Sequence, residues 1–222
     1  MTWPFHTKGE TLLTTSLKSS EPFLESKRLF IDSCVLVDWT KDPGVRMAMH
    51  AAQLTYNLAF ASISLLEVGF GPMEKIKERE YDMARAIYHH ENINRCSAMQ
   101  FALYDANGHA PSPGTVFSVN PGHEEWLMAR NILIDAMNDT GLRSTRIDKR
   151  RNDALFFATA HNTRSALITN NLKDFKILNK YFAAGAHAKL LPVFSVQDLW
   201  RSLSGEVVSF PENLVALQAS GN

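Results

Sequence analysis

Asp32, Glu67, Asp153 and Asp174 each stand just beyond a stretch that reads as a strand or at the opening of one that reads as a helix. Asp32 follows Arg28-Leu29-Phe30-Ile31, and Glu67 follows Ala59-Phe60-Ala61-Ser62-Ile63-Ser64. Asp153 opens Ala154-Leu155-Phe156-Phe157-Ala158, and Asp174 lies just past Ala166-Leu167-Ile168-Thr169. Carboxylates gathered in one crevice repel one another unless a cation joins them, and hard oxygen ligands suit Mg²⁺ or Mn²⁺. Such a cation can activate a water and neutralise charge growing on a phosphate, and two of them about 4 Å apart clamp both oxygens of a displacement. On this reading Asp32 and Asp153 ligate the main metal. Glu67 binds it or its water, and Asp174 holds a second cation or outer-shell waters. Ser33 and Asn171 are the neighbouring groups able to orient a carboxylate or a metal water by hydrogen bonding. Each acid also has a plainer reading. Asp32 and Asp153 precede helices, where a carboxylate caps backbone N–H groups and favours the positive end of the dipole. Glu67 near a helix start fits a surface or capping role, Asp174 a turn, and Ser33 an ordinary helix N-terminal position.

These residues need elements to position them. Leu29 to Ile31 reads as a buried strand, and Val35 to Trp39 as a short helix stopped at Asp42-Pro43-Gly44. Met47 to Asn57 is a helical candidate leading into the second strand. Glu67 to Gly71 opens a further helix, which the charged run Glu74 to Arg95 continues, with Ile93 among its apolar positions. Asn107 to Gly114 and Asn120-Pro121-Gly122 read as loops. His123 to Asn138 shows helical spacing through Trp126, Leu127, Ala129, Leu133, Ile134 and Met137. Asp153 to Arg164 reads as a helix, Ala166 to Thr169 as a strand, Leu190 to Phe194 as the last strand and Val196 to Leu203 as the last helix. Strands alternating with helices imply right-handed crossovers and a parallel sheet covered on both faces, so the expected fold is a three-layer α/β/α sandwich. In such a sheet the carboxyl ends of the strands meet at one crevice.

The bulk numbers allow one domain of ordinary globular type: 222 residues, 45% hydrophobic and 21% charged. With 23 basic and 23 acidic residues the net charge is zero, so nucleic-acid binding would rest on local patches. Cys34 and Cys96 form no metal-ligand pattern, and Cys34, inside an apolar run, is most simply a small core residue of a protein from a reducing cytosol. No stretch has the length of apolar sequence that spans a bilayer, and Met1 to Lys27 lacks a signal-peptide core. The organisation expected is a polar leader over 1–27, a domain over 28–203 with an insertion around 75–145, and a tail over 204–222.

The acidic strings resemble the PIN-domain family. Phe30-Ile31-Asp32-Ser33-Cys34-Val35-Leu36 is similar to its opening strand and first acid, and Ser62-Ile63-Ser64-Leu65-Leu66-Glu67-Val68 to its second acidic segment. Asn152-Asp153-Ala154-Leu155-Phe156-Phe157-Ala158-Thr159-Ala160 is similar to the third, and Ala166 to Phe175 to the strand and loop that close the set. The order agrees over roughly Arg28 to Leu203. The resemblance implies a PIN-like sandwich and metal-dependent RNA cleavage, with Asp32, Glu67, Asp153 and Asp174 as the catalytic and metal-binding set. Many bacterial members are VapC-type toxins held by an antitoxin. The expected partners are therefore an RNA substrate, an antitoxin protein and a second copy of the chain, in the cytoplasm and away from membranes. The fourth acid departs from the pattern, which allows it at Asn171 or Asp174; here only Asp174 is charged.

Arg143, Arg146, Lys149, Arg150 and Arg151 crowd the approach to Asp153. Arg146, Lys149, Arg150 and Arg151 are the expected phosphate contacts, acting through counterion release, against the plainer reading of a solvated loop. No histidine is assigned to catalysis. Trp126 and Trp200 read as core rather than as base-stacking platforms. The main rival function is a non-catalytic module that uses the same crevice to hold RNA or a protein. A phosphatase-like hydrolase would want an Asp-x-Asp motif after the first strand, where this chain has Asp32-Ser33-Cys34.

Overall fold

A computed structural model describes residues 28–64, 67, 93–103, 115–138, 150–186 and 190–205. The leader, most of the segment after Glu67, the loop around Pro111, the basic residues Arg143, Arg146 and Lys149, and most of the tail lie outside the described residues.

The chain alternates strands and helices. β1 (Arg28–Ile31), α1 (Ser33–Lys41), α2 (Pro43–Gln53) and β2 (Asn57–Ala61) come first. β3 (Ile93–Ser97), α3 (Ala98–Leu103), β4 (Val116–Asn120) and α4 (His123–Asn138) follow. α5 (Arg151–Asn162), β5 (Ala166–Ile168), α6 (Leu172–Ala186), β6 (Val193–Phe194) and α7 (Val196–Leu203) complete the described elements. All described strand pairs are parallel, in the order β3-β4-β2-β1-β5-β6. The expected three-layer α/β/α sandwich around a parallel sheet is what forms.

The alternation of side chains along each strand explains the layers. Leu29 and Ile31 join Leu58, Phe60, Ala166, Ile168 and Phe194 on one face, against Val35, Leu36 and Trp39 of α1, Met49 of α2 and Leu199 of α7. Phe30 points the other way, with Ala59, Phe117, Val119 and Leu167, against Phe101 of α3, Ile132 of α4, Phe156 and Phe157 of α5 and Leu178 of α6. Because both faces are covered, β1 is buried at all four positions. Ala154, Ala158 and Ala160 are fully buried on α5 and let that helix lie close to its neighbours.

Several elements differ from the sequence reading. Asp42-Pro43-Gly44 ends α1 at Lys41, as expected, but at once starts α2. Asp42 is the C-cap of one helix and the N-cap of the next, accepting from the N–H groups of Gly44 (2.6 Å) and Val45 (3.3 Å), with Pro43 opening the helix. The helix expected through Arg95 gives way to β3 at Ile93, and Leu172–Ala186 is a helix where the sequence reading assigned no element. β4 was missed, although Val116-Phe117-Ser118-Val119 is a β-prone run between Pro113-Gly114 and Asn120-Pro121-Gly122. Within the stretch around 75–145, β3 and β4 are strands of the sheet and α4 is part of its cover. Among the described residues no helix is long and apolar enough to cross a membrane.

Candidate functional site

The chain crosses between the two halves of the sheet at the β1/β5 boundary. After β1 it builds β2, β3 and β4 to one side, and β5 and β6 lie on the other. Such a switch point leaves a crevice at the carboxyl ends of the strands. Asp32 stands there, one residue past β1, with its N–H on the carbonyl of Ile168 at 3.0 Å.

Asp32 is buried, and four donors surround its carboxylate. Oδ1 accepts from the Ser33 N–H at 2.8 Å and from Ser33 Oγ at 3.4 Å. Oδ2 accepts from Thr169 Oγ at 2.7 Å and from Cys34 Sγ at 2.9 Å. Burial pushes its pKa up, and these donors oppose the shift. The Cys34 thiol is pushed up to about 12 by burial and by the Asp32 charge, so it stays neutral and donates. Cys34 is half-buried: it packs against the core and donates to Asp32.

Asp153 lies in the first turn of α5, whose N-cap position is Arg150, so it is not a cap. Its pKa is pushed up to about 7, first by burial and then by the charges of Asp32, Asp174 and Glu67, with Arg150 acting the other way. All four acids of the sequence reading are thus near enough for the other three to act on Asp153. Glu67 Oε1 accepts from Asn152 Nδ2 at 2.6 Å. Asp174, in the first turn of α6, forms an ion pair with Arg150 through Nη2 at 2.8 Å and Nε at 3.2 Å, and accepts from Asn171 Nδ2 at 3.0 Å.

Arg150 was expected to meet phosphate, and here it holds a site carboxylate; its Nη1 is buried with no partner among the described residues. Arg151 is exposed. Ser33 and Asn171 both touch acids of the set, as expected. Thr169 was missed, although it joins the two halves of the sheet: it donates to Asp32 and accepts from the Asn171 N–H at 2.9 Å. Its signal was available as the first polar residue after the apolar run of β5. Asn152 was missed as the donor to Glu67. Trp126, expected in the core, is 48% exposed, whereas Trp200 packs against the core.

As a donor set the four acids suit a hard divalent cation, since a cation would relieve the mutual repulsion felt at Asp153. Their side chains are turned to other partners, however. Among the described residues no group of three or more His, Cys, Asp and Glu side chains is arranged to hold a metal ion as they stand. In this arrangement Glu67 holds Asn152 through Oε1 and Asp174 holds Arg150 through Oδ1. The fold and site define a three-layer α/β protein with an acidic crevice at its sheet switch point. No protein-family model and no curated protein matches the sequence.

Proposed function

We propose that this chain is a metal-dependent endoribonuclease of the PIN-like kind, acting in the cytoplasm as the toxin of a toxin–antitoxin pair. The observation that carries the reading is the convergence of Asp32, Glu67 and Asp174 on Asp153, which is pushed up to about 7 in part by their charges. Asp32 and Asp153 would hold a Mg²⁺ or Mn²⁺ ion with help from Glu67, and Asp174 would hold a second ion or its waters. Bound there, the ion supplies an activated water and neutralises charge on the scissile phosphate. The chain's own residues do the positioning. Ser33, Cys34 and Thr169 fix the Asp32 carboxylate by hydrogen bonds, and Asn171 braces Asp174. Arg150 balances the charge of Asp174. An antitoxin protein and a second copy of the chain are the further partners this reading implies.

A second reading is favoured by one feature. Glu67 and Asp174 already have neutral or cationic partners, which suits a crevice that holds RNA or a protein without turnover.

The test is cleavage of RNA by purified protein with Mg²⁺, with Mn²⁺ and with chelator. Cleavage is expected only with metal, and Asp32→Asn and Asp153→Asn are each expected to abolish it while the melting transition survives. Full cleavage by either variant would remove the metal site from the mechanism. No cleavage by wild type with either metal would favour the binding module.

A further inference from the structure

One face of α4 is apolar yet open to solvent: Trp126 is 48% exposed and Met137 51%. Trp126, Arg130, Leu133 and Met137 follow one another at spacings of four, three and four, and so form one stripe of the helix. With Arg151 at the start of α5 they line a groove of about 450 Å³. Its described lining holds two guanidinium groups and no carboxylate, in a chain of zero net charge. Arg151 adjoins Asn152, the donor to Glu67, so the groove reaches the first turn of the helix that carries Asp153.

We infer that this groove binds single-stranded RNA, with a base stacked on Trp126 and phosphates on Arg130 and Arg151, and leads the strand to the carboxylate crevice. A protein partner would suit the apolar stripe alone, but paired cations beside a half-open indole match alternating bases and phosphates. The α4 stripe from Trp126 to Met137 is about 16 Å long, enough for a short run of nucleotides. A duplex hides the faces of its bases, so stacking on Trp126 selects unpaired strands. The inference rests on the nuclease reading for its link to chemistry, and the readouts below keep the two apart.

The experiment measures binding of a labelled, short uridine-rich RNA to the full chain in chelator, across a salt series, with the matching duplex as competitor. Single-strand affinity should fall about tenfold in Trp126→Ala, within the range for losing one stacked base, and largely return in Trp126→Phe. Arg130→Ala combined with Arg151→Ala should flatten the salt slope by roughly 1.4, since each phosphate contact on a single strand contributes about 0.7. Circular dichroism of each variant should match wild type. Unchanged affinity in Trp126→Ala, equal competition by the duplex, or no binding by wild type at low salt would each overturn the inference. So would a self-associating wild type that Trp126→Ala turns to monomer, because the stripe would then bind a second copy. Binding as described without metal-dependent cleavage sinks the nuclease reading alone. Metal-dependent cleavage with wild-type affinity in Trp126→Ala sinks the groove alone.

Discussion

Thr169 holds Asp32 from across the sheet, and its loss should show at the level of one hydrogen bond. Thr169→Val keeps the shape but removes a fully buried hydroxyl that donates to a carboxylate, and should lower stability by about 1–3 kcal/mol. Thr169→Ser should recover most of it; equal loss in both variants, read from urea unfolding, would mean that packing of the methyl group matters more. Asp153 gives a pH signature. Its folded pKa of about 7 lies above the ordinary 3.8, so between these values the fold holds the proton more tightly than the unfolded chain. Its contribution to stability is full below about pH 4 and is lost as pH rises through about 7. Asp32 is shifted in the same direction. His161, buried against Phe182 with its pKa pushed down, works in the opposite direction near neutrality, so the comparison must be made with a variant. In chelator, the urea midpoint of wild type should fall more between about pH 5 and about pH 8 than that of Asp153→Asn. Parallel profiles would mean that Asp153 titrates normally. Divalent cation should shrink the difference, since it takes the place of the proton.

At the scale of elements, polar pins set where the helices begin and how they lie. Glu125 is buried at the start of α4; its Oε2 accepts from the Gly122 N–H at 2.6 Å and its Oε1 from Asn162 Nδ2 at 2.7 Å. One side chain thus fixes the turn after β4 and ties the start of α4 to the end of α5. Glu125→Ala leaves these donors unpaired and should cost about 1–3 kcal/mol, measured by denaturant unfolding. A neutral result would mean that apolar packing alone seats α4. Ser195 and Asp198 close a capping box at α7, and Ser195→Ala should cost about 1 kcal/mol. α4 falls at its expected range because the turn signal Asn120-Pro121-Gly122 precedes it, and α7 because Ser195 and Asp198 mark its start. α6 was missed because Asn170-Asn171 and Asp174 read as a turn, although Asn171 and Asp174 bond to each other at its first turn. β3 was missed because its run Ile-Asn-Arg-Cys-Ser has no apolar continuity and follows a charged stretch.

For the whole molecule, the test is whether the middle of the chain belongs to the core. Phe117 of β4 is fully buried, with its ring 4.8 Å from that of Phe101, in the same cluster as Phe30 and Phe156. Phe117→Ala should cost about 3–5 kcal/mol and lower the single melting transition of the domain. A separate low-temperature transition, with the main one unmoved, would mark the 93–120 stretch as an appendage. The layered α/β class was legible in the residues alone, because continuous apolar strand runs and helical spacing are local properties. The sequence also placed four acids at element boundaries, where turn and strand signals are strongest. Which sheet neighbours flank β1 was not legible there, since pairing depends on burial across the whole sheet rather than on any one strand. Nothing in the residues around Trp126 distinguishes an apolar face that meets the core from one that meets water. That depended on how α4 settled against α5 and α6, which left Ile132 inside and Trp126 out. The partners of the four acids were decided in the same way, by which donors the packed helices brought to the crevice.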